Sequence, residues 1–99
     1  MLSDAIAFLR EVDTSTLEKA AEYHDVFIHL CKQTLQDYKD YTKNQDPAKS
    51  LISTCGLIKS SSSSVQEQET LLKKLEKDRL RVANLLEKIV KGINSSLHS

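Results

Sequence analysis

The 99-residue sequence has two glycines, one proline, no tryptophan and five aromatic residues. A β protein of this length needs many turn residues and aromatic strand positions, so this shortage argues against a turn-rich β fold. Two glycines also leave no material for a phosphate-cradling loop or a dinucleotide fingerprint. The two cysteines, Cys31 and Cys55, are too few for the dense disulfide framework of a small secreted scaffold. There is no apolar run near the roughly 20 residues of a membrane span. Asp4 stands where a signal peptide or presequence wants a base, so the expected location is cytoplasmic, with the nucleus open.

Charge is plentiful and balanced, with fourteen Lys and Arg against fourteen Asp and Glu. A chain of zero net charge offers nucleic acid no strong attraction, and no aromatics interleave with the bases to stack on nucleobases. The balance is uneven along the chain. Residues 1–46 carry nine acids and five bases, and residues 47–99 carry five acids and nine bases. This asymmetry suits two segments folding against each other, and it also suits a basic C-terminal helix offered to an acidic partner.

The pattern throughout is helical. Leu17, Ala21, His24, Ile28, Cys31, Leu35, Tyr38 and Thr42 alternate steps of four and three, which keeps them on one stripe of a helix predicted over 16–43. Phe27, Leu30 and Tyr41 widen that stripe, and Ser15 with Glu18 fits a capping box at its start. Leu2, Ile6 and Leu9 predict a shorter helix over 3–12. Asn44-Gln45-Asp46-Pro47 reads as a chain reversal, with Asp46 as cap and Pro47 at the first position of a helix over 47–59. A last helix over 65–91 carries Leu71, Leu72, Leu75, Val82, Leu85, Leu86, Ile89 and Val90, with Gly92 as its stop and a frayed tail at 94–99.

The expected fold is therefore all-α, either a small helical bundle or a long antiparallel helical hairpin with coiled-coil-like packing. The serines at 60–64 decide between them. As a linker they give three or four helices; as helix they give a rod over 47–91 of roughly 68 Å facing an N-terminal rod of about 60 Å. In the hairpin, Phe27 and Ile28 would face Ser62 and Ser63 and stay wet, unless the chain folds back or another chain covers them.

Little in the sequence points to chemistry. His24, His29, Cys31 and Cys55 have the right donors for a transition metal, but His24 and Cys31 lie two helical turns apart and no C-x-x-C or H-x-x-x-H is present. No metal or cofactor is expected, and no catalytic residue is assigned. The basic amphipathic stretch around Lys73, Lys74, Lys77, Arg79 and Arg81 suits an acidic partner's groove or an anionic membrane surface, although Glu76, Asp78 and Glu87 dilute its field.

Long helices in so short a chain are hard to cover from within. The expectation is a non-enzymatic interaction protein, either self-associating or a subunit of a hetero-complex. Candidate interface residues from periodicity are Phe27, Ile28, Leu30 and Leu35 on one helix and Leu72, Val82, Leu86 and Ile89 on the other. In a closed monomer the same residues would be core. The alternative is a peripheral membrane protein using the basic helix at 71–91.

Overall fold

The computed structural model describes residues 2–60 and 64–98. It holds five helices: α1 (Leu2–Glu11), α2 (Leu17–Glu22), α3 (His24–Asp37), α4 (Asp46–Ser60) and α5 (Val65–His98). They pack against each other in a helical bundle, and no strand occurs among the described residues.

The longest helix, α5, has 34 residues, about 51 Å at 1.5 Å per residue, and sets the long axis of a body measuring 52 × 22 × 18 Å. Helix α4 packs along it. Ser50 and Thr54 of α4 both donate to the Asp78 carboxylate of α5, and Lys74 reaches Thr54 Oγ1 at 2.9 Å. As residue numbers rise on α4 they fall on α5, so the two run antiparallel. These contacts exclude one continuous rod over 47–91, because Thr54 and Asp78 would lie about 36 Å apart in it. The conformation of Ser61, Ser62 and Ser63 lies outside the described residues. Where the chain re-enters at Ser64, its hydroxyl sits 3.4 Å from the Glu67 N–H in the first turn of α5.

Helix α1 packs on the other side of α5, also antiparallel. Arg10 pairs with Glu87 at 2.7 Å, and Arg79 donates to the carbonyls of Leu9 and Val12. Helix α3 packs on α4, and Gln45 in the connection between them donates to the Leu35 carbonyl. Contacts thus run from α3 to α4 to α5 to α1. The remaining side, between α1 and α3, is closed at one end by the ring of Phe8 set against Tyr23 and Phe27, with centroids 5.6 and 5.7 Å away.

The segment 16–43 is two helices instead of one. The break falls at Tyr23, whose φ of −99° and ψ of 4° lie outside the helical basin, and whose ring belongs to the aromatic cluster closing the α1–α3 side. After it, α3 stops at Asp37. The inward face also differs from the predicted stripe, on both sides of the break. Ala20, Phe27, Cys31 and Thr34 are the buried positions, while Ala21 is exposed and His24 only half-buried. Thr34 tolerates burial because its hydroxyl donates to the Leu30 carbonyl at 2.8 Å. The cap of α2 is Thr16, one residue past the predicted Ser15, and its oxygen accepts the Lys19 N–H. Asp13 braces this link by accepting from Lys19 and Ser15, and the Lys19 ammonium holds its carboxyl well below the usual carboxylate range.

Two other boundaries move. At the start of α4 the side-chain acceptor is Asn44, which takes the Asp46 N–H at 3.2 Å, instead of Asp46 itself. Gly92 does not stop α5, and the segment expected to fray continues as helix to His98. No glycine has a positive φ, and a Cβ at Gly92 would meet the Tyr41 ring at an ordinary 3.9 Å, so nothing at that position requires the chain to turn.

Candidate functional site

The eight candidate interface residues divide. Phe27, Val82, Leu86 and Ile89 are essentially inaccessible and pack with Leu9, Leu51, Cys55 and Leu75 in the chain's own core. The reason is the extra layer that α1 provides: Phe8 and Leu9 fold back over the stripe that a two-rod hairpin would leave wet. Ile28, Leu30, Leu35 and Leu72 are half-buried at the edge of that core. Of these, Leu30 borders an open groove beside α1, and Leu72 a separate depression with Leu17 and Val65.

That groove is the unclosed part of the α1–α3 side. Leu2 and Ala5 of α1 form one wall, and Val26, Leu30 and Thr34 of α3 with Tyr38 form the other. Leu86 of α5 is its floor, and His29, Gln33 and Asp37 stand along its polar lip. Its volume is ≈ 360 Å³, room for a few apolar side chains but shallow for a closed ligand cavity. It exists because α1 is ten residues long and α3 fourteen, and their one firm meeting point is the aromatic cluster near Tyr23. Val26 is 47% exposed, so a β-branched apolar side chain is left in water beside an apolar trough. Sequence periodicity singled out Leu30 and Leu86 but missed Leu2, Ala5 and Val26. Val26 lies off the predicted stripe, and only the fold shows that α1 stands opposite it.

The second surface is the outer face of α5. Lys73, Lys77, Arg81, Lys88 and Lys91 are all exposed, and at 100° per residue they fall in a sector of about 80°. Glu69, Glu76 and Glu87 fall in a separate row about 80° away. That row looks toward α1 and α2, since Glu87 pairs with Arg10 and Glu69 borders a depression with Thr16, Leu17 and Glu18. The apolar side of α5 is spent on the core, through Leu75, Val82, Leu85, Leu86 and Ile89; among its described side chains two large hydrophobics stay exposed, Leu80 between the two charged rows and Val65 in the first turn.

The expected charge pairing between the two halves does not form. Among the described residues, no ion pair joins a carboxylate of residues 1–46 to a cation of residues 47–99. The single pair that crosses, Arg10 with Glu87, has the opposite sense. Neutralisation of the basic half is confined to its buried edge, where Lys74 and Arg81 lie 3.5 and 3.9 Å from the Asp78 carboxylate.

Asp78 is 2% exposed and is held by the Ser50 hydroxyl at 3.0 Å and the Thr54 hydroxyl at 2.6 Å. With donors around it and almost no exposed surface, the cluster fixes the α4–α5 register. Cys31 and Cys55 are free and buried. Burial first, then the charges of Cys55 and Asp78, pushes the Cys31 thiol up to about 12. Burial and Asp78 push Cys55 up to about 11. Both are therefore protonated and poorly nucleophilic at neutral pH. No group of three or more His, Cys, Asp or Glu able to hold a metal ion occurs among the described residues, and no helix there is long and apolar enough to cross a membrane.

Compared with protein-family models, curated proteins and solved structures, the chain matches none of them.

Proposed function

We propose that this chain is a non-enzymatic interaction protein, a helical subunit of an intracellular complex, whose α1–α3 groove receives apolar side chains from another polypeptide segment. The observation that carries the reading is the groove itself: Leu2, Ala5, Val26 and Leu30 face each other across an unfilled trough floored by Leu86. Burying one Leu- or Phe-sized side chain there contributes about 1.5–3 kcal/mol, enough that two or three anchors give useful affinity.

The membrane-surface alternative draws support from the five exposed cations of α5. It is weaker because that helix spends most of its apolar face on the core. Among its described side chains the two exposed large hydrophobics, Val65 and Leu80, stand about four turns apart, too few and too separate to seat the helix in lipid.

Sedimentation equilibrium over a hundredfold concentration range, on wild type and on Val26→Asp, tests the self-associating form. Loss of association in the variant, with an unchanged melting temperature, supports the groove. If wild type stays monomeric, capture of partners from cell extract is compared between the two proteins. Identical partner sets for wild type and Val26→Asp would remove the groove from the account.

A further inference from the structure

We infer that the outer face of α5 is a second docking surface, and that its occupant is an acidic amphipathic helix of another protein. The inference rests on reading the chain as an interaction protein but not on the groove. It begins from an imbalance: Lys73, Lys77, Lys88 and Lys91 have no ion-pair partner among the described residues, and Arg81 has only Asp78 at 3.9 Å. Five cations within a narrow sector repel one another, and the chain's own acidic half does not come to meet them. The missing counter-charge comes from outside.

The shape of the row selects among anionic partners. From Lys73 to Lys91 it runs about 27 Å along a single helix, roughly the length of eighteen helical residues. Leu80 lies between this row and the parallel carboxylate row of Glu69, Glu76 and Glu87. An exposed apolar position with cations on one side and carboxylates on the other has the arrangement of a coiled-coil seam, where flanking charges choose the partner. A helix centred on the cation row lies about 55° round α5 from Leu80 and about 80° from the carboxylate row. It therefore sets its own carboxylates over the lysines, touches Leu80 with an apolar residue at its edge and leaves Glu69 and Glu76 at the margin. A planar anionic membrane or a nucleic acid backbone spreads negative charge over both rows, and repulsion from Glu69 and Glu76 works against it.

The probe is a synthetic helical peptide of about 20 residues, ~30 Å long, with glutamates at every third and fourth position and one central leucine. Its binding to the full chain is measured by fluorescence anisotropy across a salt series. Parallel arms use vesicles containing phosphatidylserine, duplex DNA, and the same peptide with glutamine for glutamate. The expected result is salt-sensitive binding of the acidic peptide, absent for the glutamine version and reduced about tenfold or more by Lys77→Glu with Lys88→Glu. Circular dichroism of that variant checks its fold, and Lys77→Gln with Lys88→Gln serves if the reversal unfolds it.

Peptide binding insensitive to these changes overturns the inference, as does tighter binding to vesicles or DNA. Salt-sensitive self-association lost in the same variants would make the occupant a second copy, which also overturns it. Failure here with a persistent effect of Val26→Asp removes the α5 proposal and leaves the groove reading standing.

Discussion

Arg79 caps a helix seventy residues before it in the sequence: its Nη1 donates to the Leu9 carbonyl at 2.8 Å and to the Val12 carbonyl at 2.9 Å. These carbonyls lie at the C-terminal end of α1, where the helix leaves acceptors unpaired and the dipole favours a cation. Arg79 is 7% exposed and its Nε has no hydrogen-bond partner, so the fold accepts a desolvated charge in order to tie α1 to α5.

Arg79→Met is therefore expected to lower stability by about 1.5–3 kcal/mol, the range for hydrogen bonds to a charged group. Arg79→Lys should recover part of the loss, since a single nitrogen, Nη1, reaches both carbonyls and an ammonium also carries several N–H donors. Urea unfolding with a constant m-value checks both. Hydrogen exchange should show α1 loosening before α4, and uniform loosening of all helices would mean that Arg79 does not act through the α1 end.

The second prediction concerns Asp78 and Thr54, 2.6 Å apart in the α4–α5 interface. Thr54→Val deletes a donor to a buried carboxylate and should cost about 1–3 kcal/mol. Once Asp78 is replaced by an apolar residue, the same change should cost much less, because neither partner is then left unsatisfied. A double-mutant cycle of Thr54→Val and Asp78→Leu, read by denaturation, decides it. Strict additivity would show that the two side chains do not act as a pair.

The sequence disclosed the helices and their class because helix signals are local: 3.6-residue periodicity, Pro47 near a helix start, serines before Val65. It also marked Leu30 and Leu86, which turn up in the groove. What it hid depends on contacts between distant segments. The inward face runs through Ala20 and Phe27, beside the predicted Ala21 and Ile28, because of which helices pack on it, and the break at Tyr23 belongs to a ring cluster with Phe8, fifteen residues earlier. The groove needs the length difference between α1 and α3 and the way both meet α5. The charge asymmetry was plain in the sequence, but whether the halves pair depends on which faces turn outward.

Phe27 and Val26 are adjacent in sequence and opposite in role, so they separate core from surface. Phe27 is 1% exposed and packs against Phe8 and Tyr23. Phe27→Ala should destabilise by about 3–5 kcal/mol. Val26→Asp should change stability by no more than about 0.5 kcal/mol, as for most surface substitutions. Thermal unfolding of the two variants side by side gives the answer. A large loss in Val26→Asp would mean that the groove wall is part of the core.

The two thiols make a pH prediction. Each has an ordinary value near 9.0, and the fold raises Cys31 to about 12 and Cys55 to about 11. Above pH 9 the unfolded chain ionises these thiols while the native protein keeps them neutral, so deprotonation favours unfolding. Their contribution is complete below pH 9 and is lost as pH rises toward 11 and 12, at up to about 1.4 kcal/mol per pH unit for each thiol. Lysines and tyrosines titrate in the same window, so the measurement is a difference: wild type against Cys31→Ala with Cys55→Ala, unfolded in urea from pH 8 to 10.5. The variant starts less stable because it has lost buried volume, and the gap should narrow as pH rises. A gap of constant width would mean that the thiols titrate alike in both states, and that burial does not hold them neutral.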